Sequence, residues 1–244
     1  MTSRQLRSSL RVACAIAFAT SVWVATAIPS AHAASGESSA ADEAIVDAGL
    51  LTVDDVPPGW TESASSADSD SDSELSMARY GSDCARLQKT ADKLKRDRTA
   101  HGESPDFAED SNTEISNSVT TYPTAAQTKA ALAFFLQSSI PRCLQKASQA
   151  ELTARAKESP GLTFQVSFSR LSVPKAGDRS IGYAMKITAK TEGRTVHLVA
   201  DYQLVLVGRA GMTFTFQGEG TSPMLDHQDV VRAAVARVEE AQRT

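Results

Sequence analysis

The chain has 244 residues, 29 acidic against 25 basic side chains, and 41% hydrophobic residues. That is enough chain for a domain with its own core. The acidic balance argues against a dedicated nucleic-acid binder, which needs a concentrated basic surface to displace counterions.

Residues 1 to 33 read as a secretory leader. Arg4, Arg7 and Arg11 precede an apolar stretch from Val12 to Ile28, and PSAHA sets small residues at Ala31 and Ala33, so cleavage is expected after Ala33. The apolar core is short and broken by Thr20, Ser21 and Thr26, which disfavours a retained membrane anchor. Cys14 opens that core and does not follow it, so it does not mark a lipoprotein. Once the three leader arginines are removed, 29 acidic side chains face 22 basic ones, a net charge of −7. The remaining chain, 34 to 244, is expected to form one secreted domain without internal repeats or a transmembrane span.

The stretch LLTVDDVPPGW at 50 to 60 predicts a one-turn helix capped by Thr52, with Asp55 at its third position and Leu51 and Val56 spaced as a hydrophobic staple. Pro58 and Gly59 fit the centre of a type II turn that delivers Trp60 to the core. Residues 62 to 74, ESASSADSDSDSE, predict a mobile loop, because nothing apolar there offsets the entropy of ordering. Asp68, Asp70 and Asp72 invite a calcium reading. The EF-hand pattern fails, with Ser73 where glycine belongs and Arg79 where the bidentate glutamate belongs.

Asp83 is expected to cap a helix carrying Cys84, Leu87, Ala91 and Leu94 at helical spacing, with the basic run KLKRDR at 93 to 98 on its solvated face. HGESPDFAEDSN, 101 to 112, reads as loop and 113 to 122 as a strand. TAAQ at 124 to 127 is a capping box opening a helix through Leu136, and Pro141 suits the first turn of a further helix with Cys143, Leu144, Ala147 and Ala154. Cys84 and Cys143 read first as a disulfide, which would bolt these helices together; two free thiols and a pair of metal ligands are the alternatives.

The C-terminal half alternates cleanly. Ile181, Tyr183, Met185, Ile187 and Ala189 face one way, as do Val196, Leu198, Ala200, Tyr202, Leu204 and Leu206. An even turn at Glu192 and Gly193 therefore pairs Ile187 with Leu198 and Tyr183 with Tyr202. Placing Met212, Phe214 and Phe216 on that same face requires an odd loop across GRAG, aligning Leu204 with Phe214. Leu162, Phe164, Val166 and Phe168 form another inward row, and the opposite parity of Leu171 and Val173 predicts a bulge near Ser169 or Arg170. A final helix is expected, capped by Asp226, with Val230, Val231, Ala234, Val235 and Val238 inward. The whole is α+β: an antiparallel meander with helices packed on one face and one disulfide.

Chemistry is sparse. There is no G-x-S-x-G elbow, no linked S-x-x-K set, no H-E-x-x-H, and no cysteine to spare once the disulfide forms, so no catalytic residue, metal ligand or cofactor is assigned. His197 and Asp201 share a strand face but stand too far apart to touch. Two candidate sites remain. One is an aromatic pocket of Phe164, Tyr183, Tyr202 and Phe214; the other is a polar face with Lys186, His197 and Asp201.

LLTVDDVPPGW, the two helix-borne cysteines, AGDRSIGYAMKI, RTVHLVADYQLVLVGRAGMTFTF and the closing amphipathic helix together resemble the actinobacterial secreted proteins related to the extracellular sensor domain of the mycobacterial serine/threonine kinase PknH, over about residues 45 to 242. The resemblance implies a sensor-like, ligand-binding α+β domain without enzyme activity, with a cleft between sheet and helices. This chain has one cysteine pair where the kinase domain has two disulfides, and it lacks a kinase segment and a lasting membrane span. Transmembrane signalling and ligand residues are therefore not carried over. The expected partner is a small amphipathic envelope molecule or an envelope protein, and an unrecognised hydrolase is the third reading.

Overall fold

The structure is a computed structural model that describes residues 36–63, 76–109, 113–157, 161–191, 193–220 and 224–244. The expected leader and, past Ser63, the Ser/Asp-rich loop lie outside the described residues. Among the described residues eight strands form one antiparallel sheet: β1 (Thr61–Glu62), β2 (Ala100–Glu103), β3 (Phe107–Ala108), β4 (Glu114–Thr121), β5 (Thr163–Leu171), β6 (Arg179–Thr191), β7 (Arg194–Val207) and β8 (Ala210–Glu219). Their order is β1-β3-β4-β8-β7-β6-β5, with β2 added beside β4. Among the described residues five α-helices accompany them: α1 (Gly36–Gly49), α2 (Ser82–Arg96), α3 (Ala125–Phe135), α4 (Ser139–Ala156) and α5 (Gln228–Ala241).

The α+β class, the meander and the disulfide are as the sequence predicts. Thr191 pairs with Arg194 across a two-residue turn, setting Ile187 opposite Leu198 and Tyr183 opposite Tyr202. Thr124 caps α3, its hydroxyl accepting from the Gln127 amide and donating to the Gln127 side-chain oxygen. Cys84 and Cys143 are bonded, with Cα atoms 5.5 Å apart, joining α2 to α4.

The helices, however, lie on both faces. Val207 pairs with Ala210, so the β7–β8 turn holds only Gly208 and Arg209. Gly208, at φ +53°, takes the first central position, where a type II′ turn wants glycine. This even turn sets Phe214 opposite Gln203 and Met212 opposite Val205, one residue out of the expected register, which moves the Met212, Phe214 and Phe216 row to the other side of the sheet. Tyr183, Met185, Tyr202 and Leu204 pack with α2, α3 and α4 on the disulfide face. Val205, Met212, Phe214 and Phe216 pack with Ile45 and Val46 of α1 and Val231 and Val238 of α5 on the opposite face.

The expected bulge in β5 is absent, since Ser169, Arg170 and Leu171 continue in register opposite Ala184, Tyr183 and Gly182. Leu171 and Val173 have the other parity because they join the second core. Segment 101 to 112, expected as loop, supplies β2 and β3, drawn into the sheet by the edge of β4. Two caps also differ. Gly81 precedes α2, leaving Asp83 in its first turn bound to Arg86 (2.7 Å) and Arg142 (3.4 Å). His227, not Asp226, precedes α5, after a 3₁₀ turn at Met224–His227. Ala154 of α4 is exposed.

At 50 to 60 the expected one-turn helix is replaced by a simple turn at 53–56, while the turn at Pro58 and Gly59 and the burial of Trp60 are as expected, and the stretch gains a partner. The Thr52 amide donates to Asp55 Oδ2 (2.8 Å), the Trp60 amide to the Pro57 carbonyl (3.2 Å), and Gly59 has φ +98°. Arg237 of α5 then grips the carboxylate of Asp55 and the carbonyls of Ala48 (2.7 Å) and Leu50 (3.1 Å). Asn117 of β4 accepts from the Leu51 amide (2.9 Å) and donates to the Gly49 carbonyl (2.8 Å). A capping aspartate thus also ties the end of α1 to the last helix.

Tyr122, just beyond β4, is buried, and burial pushes its phenol up to about 12, against the pull of Arg98. The raised folded value means that this contribution is complete below pH 10 and is lost as pH climbs towards 12. Between pH 9 and 11 the wild type should lose about 1.4 kcal/mol more stability than Tyr122→Phe, measured by urea unfolding followed by circular dichroism.

Candidate functional site

The sequence-predicted pocket residues do not meet in one place. Tyr183 and Tyr202 are directly opposite each other on the disulfide face and fully buried. Beside them on β5 is Phe168, its ring centre 5.4 Å from that of Tyr183 and 6.3 Å from that of Tyr202, both stacked. Phe164 is half-buried further along β5, and Phe214 belongs to the second core across the sheet. The rings fill the space between sheet and helices as packing, each stacked pair adding about 0.5–1.5 kcal/mol beyond its burial.

Arg170 completes that cluster. Its guanidinium lies 5.8 Å over the Tyr183 ring and donates to the Leu136 carbonyl (2.5 Å), while the Tyr183 hydroxyl donates to the Phe135 carbonyl. Carbonyls at the end of α3, which have no intrahelical donor, are thereby satisfied from β5 and β6. Burial raises the Tyr183 phenol above its usual value, and Arg170 opposes the rise. Gln149 of α4 plays a similar part at the sheet edge, accepting from the Val166 amide (2.8 Å) and donating to the Phe164 carbonyl (2.9 Å) like a missing strand. Gln149→Leu leaves both backbone groups without that partner and should cost about 1–3 kcal/mol, read by chemical denaturation.

On the other face, Lys186, His197 and Asp201 share the parity of the predicted polar row but not its exposure. Lys186 and His197 are open to solvent, and Thr188 lies 3.2 Å from His197 Nδ1. Asp201 is fully buried, as is Gln203, which accepts from Gln228 at 2.9 Å. The expected wet face is therefore half wet. Around Gln203 it is closed by Gln228 of α5 and by Pro174, whose carbonyl accepts from Gln203 at 3.5 Å, and it stays open over part of β5, β6 and β7. Exposed there are Gln165 and Ser167 of β5, Lys186 and Lys190 of β6, and Thr195 and His197 of β7.

The nearest thing to a catalytic arrangement is His101, with Thr120 Oγ1 3.2 Å from Nδ1 and Glu103 Oε1 3.3 Å from Nε2. The same Nδ1 lies 3.0 Å from the Val119 carbonyl and Thr120 is buried, so the ring serves as a tie between β2 and β4. Among the described residues no group of three or more His, Cys, Asp and Glu side chains is placed to hold a metal ion.

No family model matches the chain, and no curated protein does. Among solved structures, the extracellular domain of PknH from Mycobacterium tuberculosis aligns with 83% of this chain and 97% of its own, at 11% identity and a TM-score of 0.38. Among the described residues no helix is long and apolar enough to cross a membrane.

Sequence reasoning missed Phe168, Arg170 and Gln149 as interacting residues. Phe168 carried a usable signal, since it lies in the same inward row as Phe164. Gln149 carried none, because a polar residue on an amphipathic helix reads as solvated.

Proposed function

We propose that this chain is a non-enzymatic, sensor-like binding domain working outside the cytoplasm, which meets an envelope partner across the open surface of β5, β6 and β7. The observation that carries this reading is the exposure of Lys186, Lys190 and His197 on a sheet surface whose remaining exposed side chains are polar. The Cys84–Cys143 bond suits an oxidising compartment, in keeping with the leader-like start of the sequence. A small amphipathic molecule between sheet and helices would have to displace the Phe168, Tyr183 and Tyr202 rings, which favours the surface over the interior.

The test is chemical crosslinking in producing cells. The wild type should trap a discrete partner, and Ser167→Trp, which raises a bulky ring from the middle of the open surface, should lose it while melting as the wild type does. Trapping unchanged by Ser167→Trp would sink the proposal.

A further inference from the structure

We propose that the partner presented to this surface is an acidic polypeptide in extended form. The inference rests on the surface reading above and names the chemistry it selects. The whole chain is acidic, with a net charge of −4, yet the exposed charges of this patch among the described residues are Lys186 and Lys190, with His197 between their rows. The carboxylate that shares the face, Asp201, is fully buried and so is not among its exposed charges.

Register fixes the spacing. Lys190 is paired with Thr195, Thr188 with His197 and Lys186 with Val199, so both lysines project from one side of β6, four residues apart. That separation is about 14 Å along the strand, with His197 about 5 Å to the side. An extended peptide repeats the same geometry, its residues i and i+4 lying on one side at about 14 Å. Two ammonium groups so placed match a row of carboxylates better than one phosphate on which both would have to converge. The exposed Gln165, Ser167 and Thr195 offer hydrogen-bonding groups to such a peptide and nothing apolar for a membrane to take up.

The probe is a synthetic peptide of alternating Ser and Asp, titrated into the oxidised chain from residue 34 onward at low ionic strength. It should bind, weaken as salt rises, and bind Lys186→Glu/Lys190→Glu roughly tenfold less tightly. The reversals Lys129→Glu/Lys146→Glu, at exposed positions on α3 and α4, should weaken it far less. Equal binding of the matching Ser-Asn peptide, or of the β6 double variant, would overturn the proposal. So would binding of inorganic phosphate or anionic vesicles that depends on these lysines while the peptide fails to bind. If Ser167→Trp abolishes crosslinking in cells but charge reversal on β6 does not, the surface reading stands and the acidic partner falls.

Discussion

Arg209→Ala is expected to destabilise the fold by about 3–5 kcal/mol, because it leaves a buried carboxylate without its counter-ion. Asp42 of α1 is fully buried, and Arg209, in the β7–β8 turn, reaches it at 2.7 Å. The same turn is held from several directions. The Arg209 amide donates to Gln242 Oε1 (3.1 Å), the Gly208 amide to Asp178 Oδ2 (2.8 Å), and the Arg209 carbonyl accepts from the Tyr122 amide (3.0 Å). The first helix, two strand ends and the chain terminus thus meet at one hairpin. Urea unfolding monitored by the emission of buried Trp60 reads the loss. The double variant Asp42→Ala/Arg209→Ala should cost less than the sum of the single changes, since removing both partners leaves no orphaned charge. A loss below about 1 kcal/mol for Arg209→Ala would mean that water already compensates the carboxylate.

Removing the disulfide is the second large effect. Cys84 and Cys143 stand 59 residues apart in sequence, and in the chain-entropy model a loop of that length stabilises by about 4 kcal/mol. Cys84→Ala/Cys143→Ala should therefore lower the melting temperature by roughly 8–16 °C, at the few degrees per kcal/mol typical of this chain length. Reduction of the wild type should shift melting in the same direction, and a melting point unchanged in both experiments would show that packing of Leu87, Ile140 and Leu144 alone secures the pair of helices.

Much of this architecture is legible in the sequence where two signals agree. The β6–β7 pairing follows from two alternating rows and a turn whose parity aligns them, and every predicted pair there is found. The β7–β8 register was misplaced because parity was inferred from the premise of a single buried face. Val205 and Val207 are buried on one side of β7 and Leu204 and Leu206 on the other. An unbroken apolar run such as LVLV is the mark of a strand covered on both faces, and it removes the need for an odd loop. The predicted bulge has the same origin, because Leu171 changes parity in order to enter the second core. Strands β2 and β3 were illegible because they are short and polar and depend on the edge of β4, a non-local cause.

The candidate sites were less legible than the fold. Sequence parity correctly placed Lys186, His197 and Asp201 on one face, but only the three-dimensional packing of α5 and of the segment after β5 decides which of them water reaches. The aromatic set failed for the register reason: Phe214 belongs to the second core, and Phe168, not Phe164, stacks on the two tyrosines.

The most direct test of binding across the open strands is a scan with a photo-reactive amino acid in producing cells, placed singly at Gln165 and His197 on that surface and at Lys89 and Lys146 on the helical side. Discrete adducts of one mass from Gln165 and His197, with none from Lys89 or Lys146, are the predicted result; adducts confined to the helical positions would contradict it.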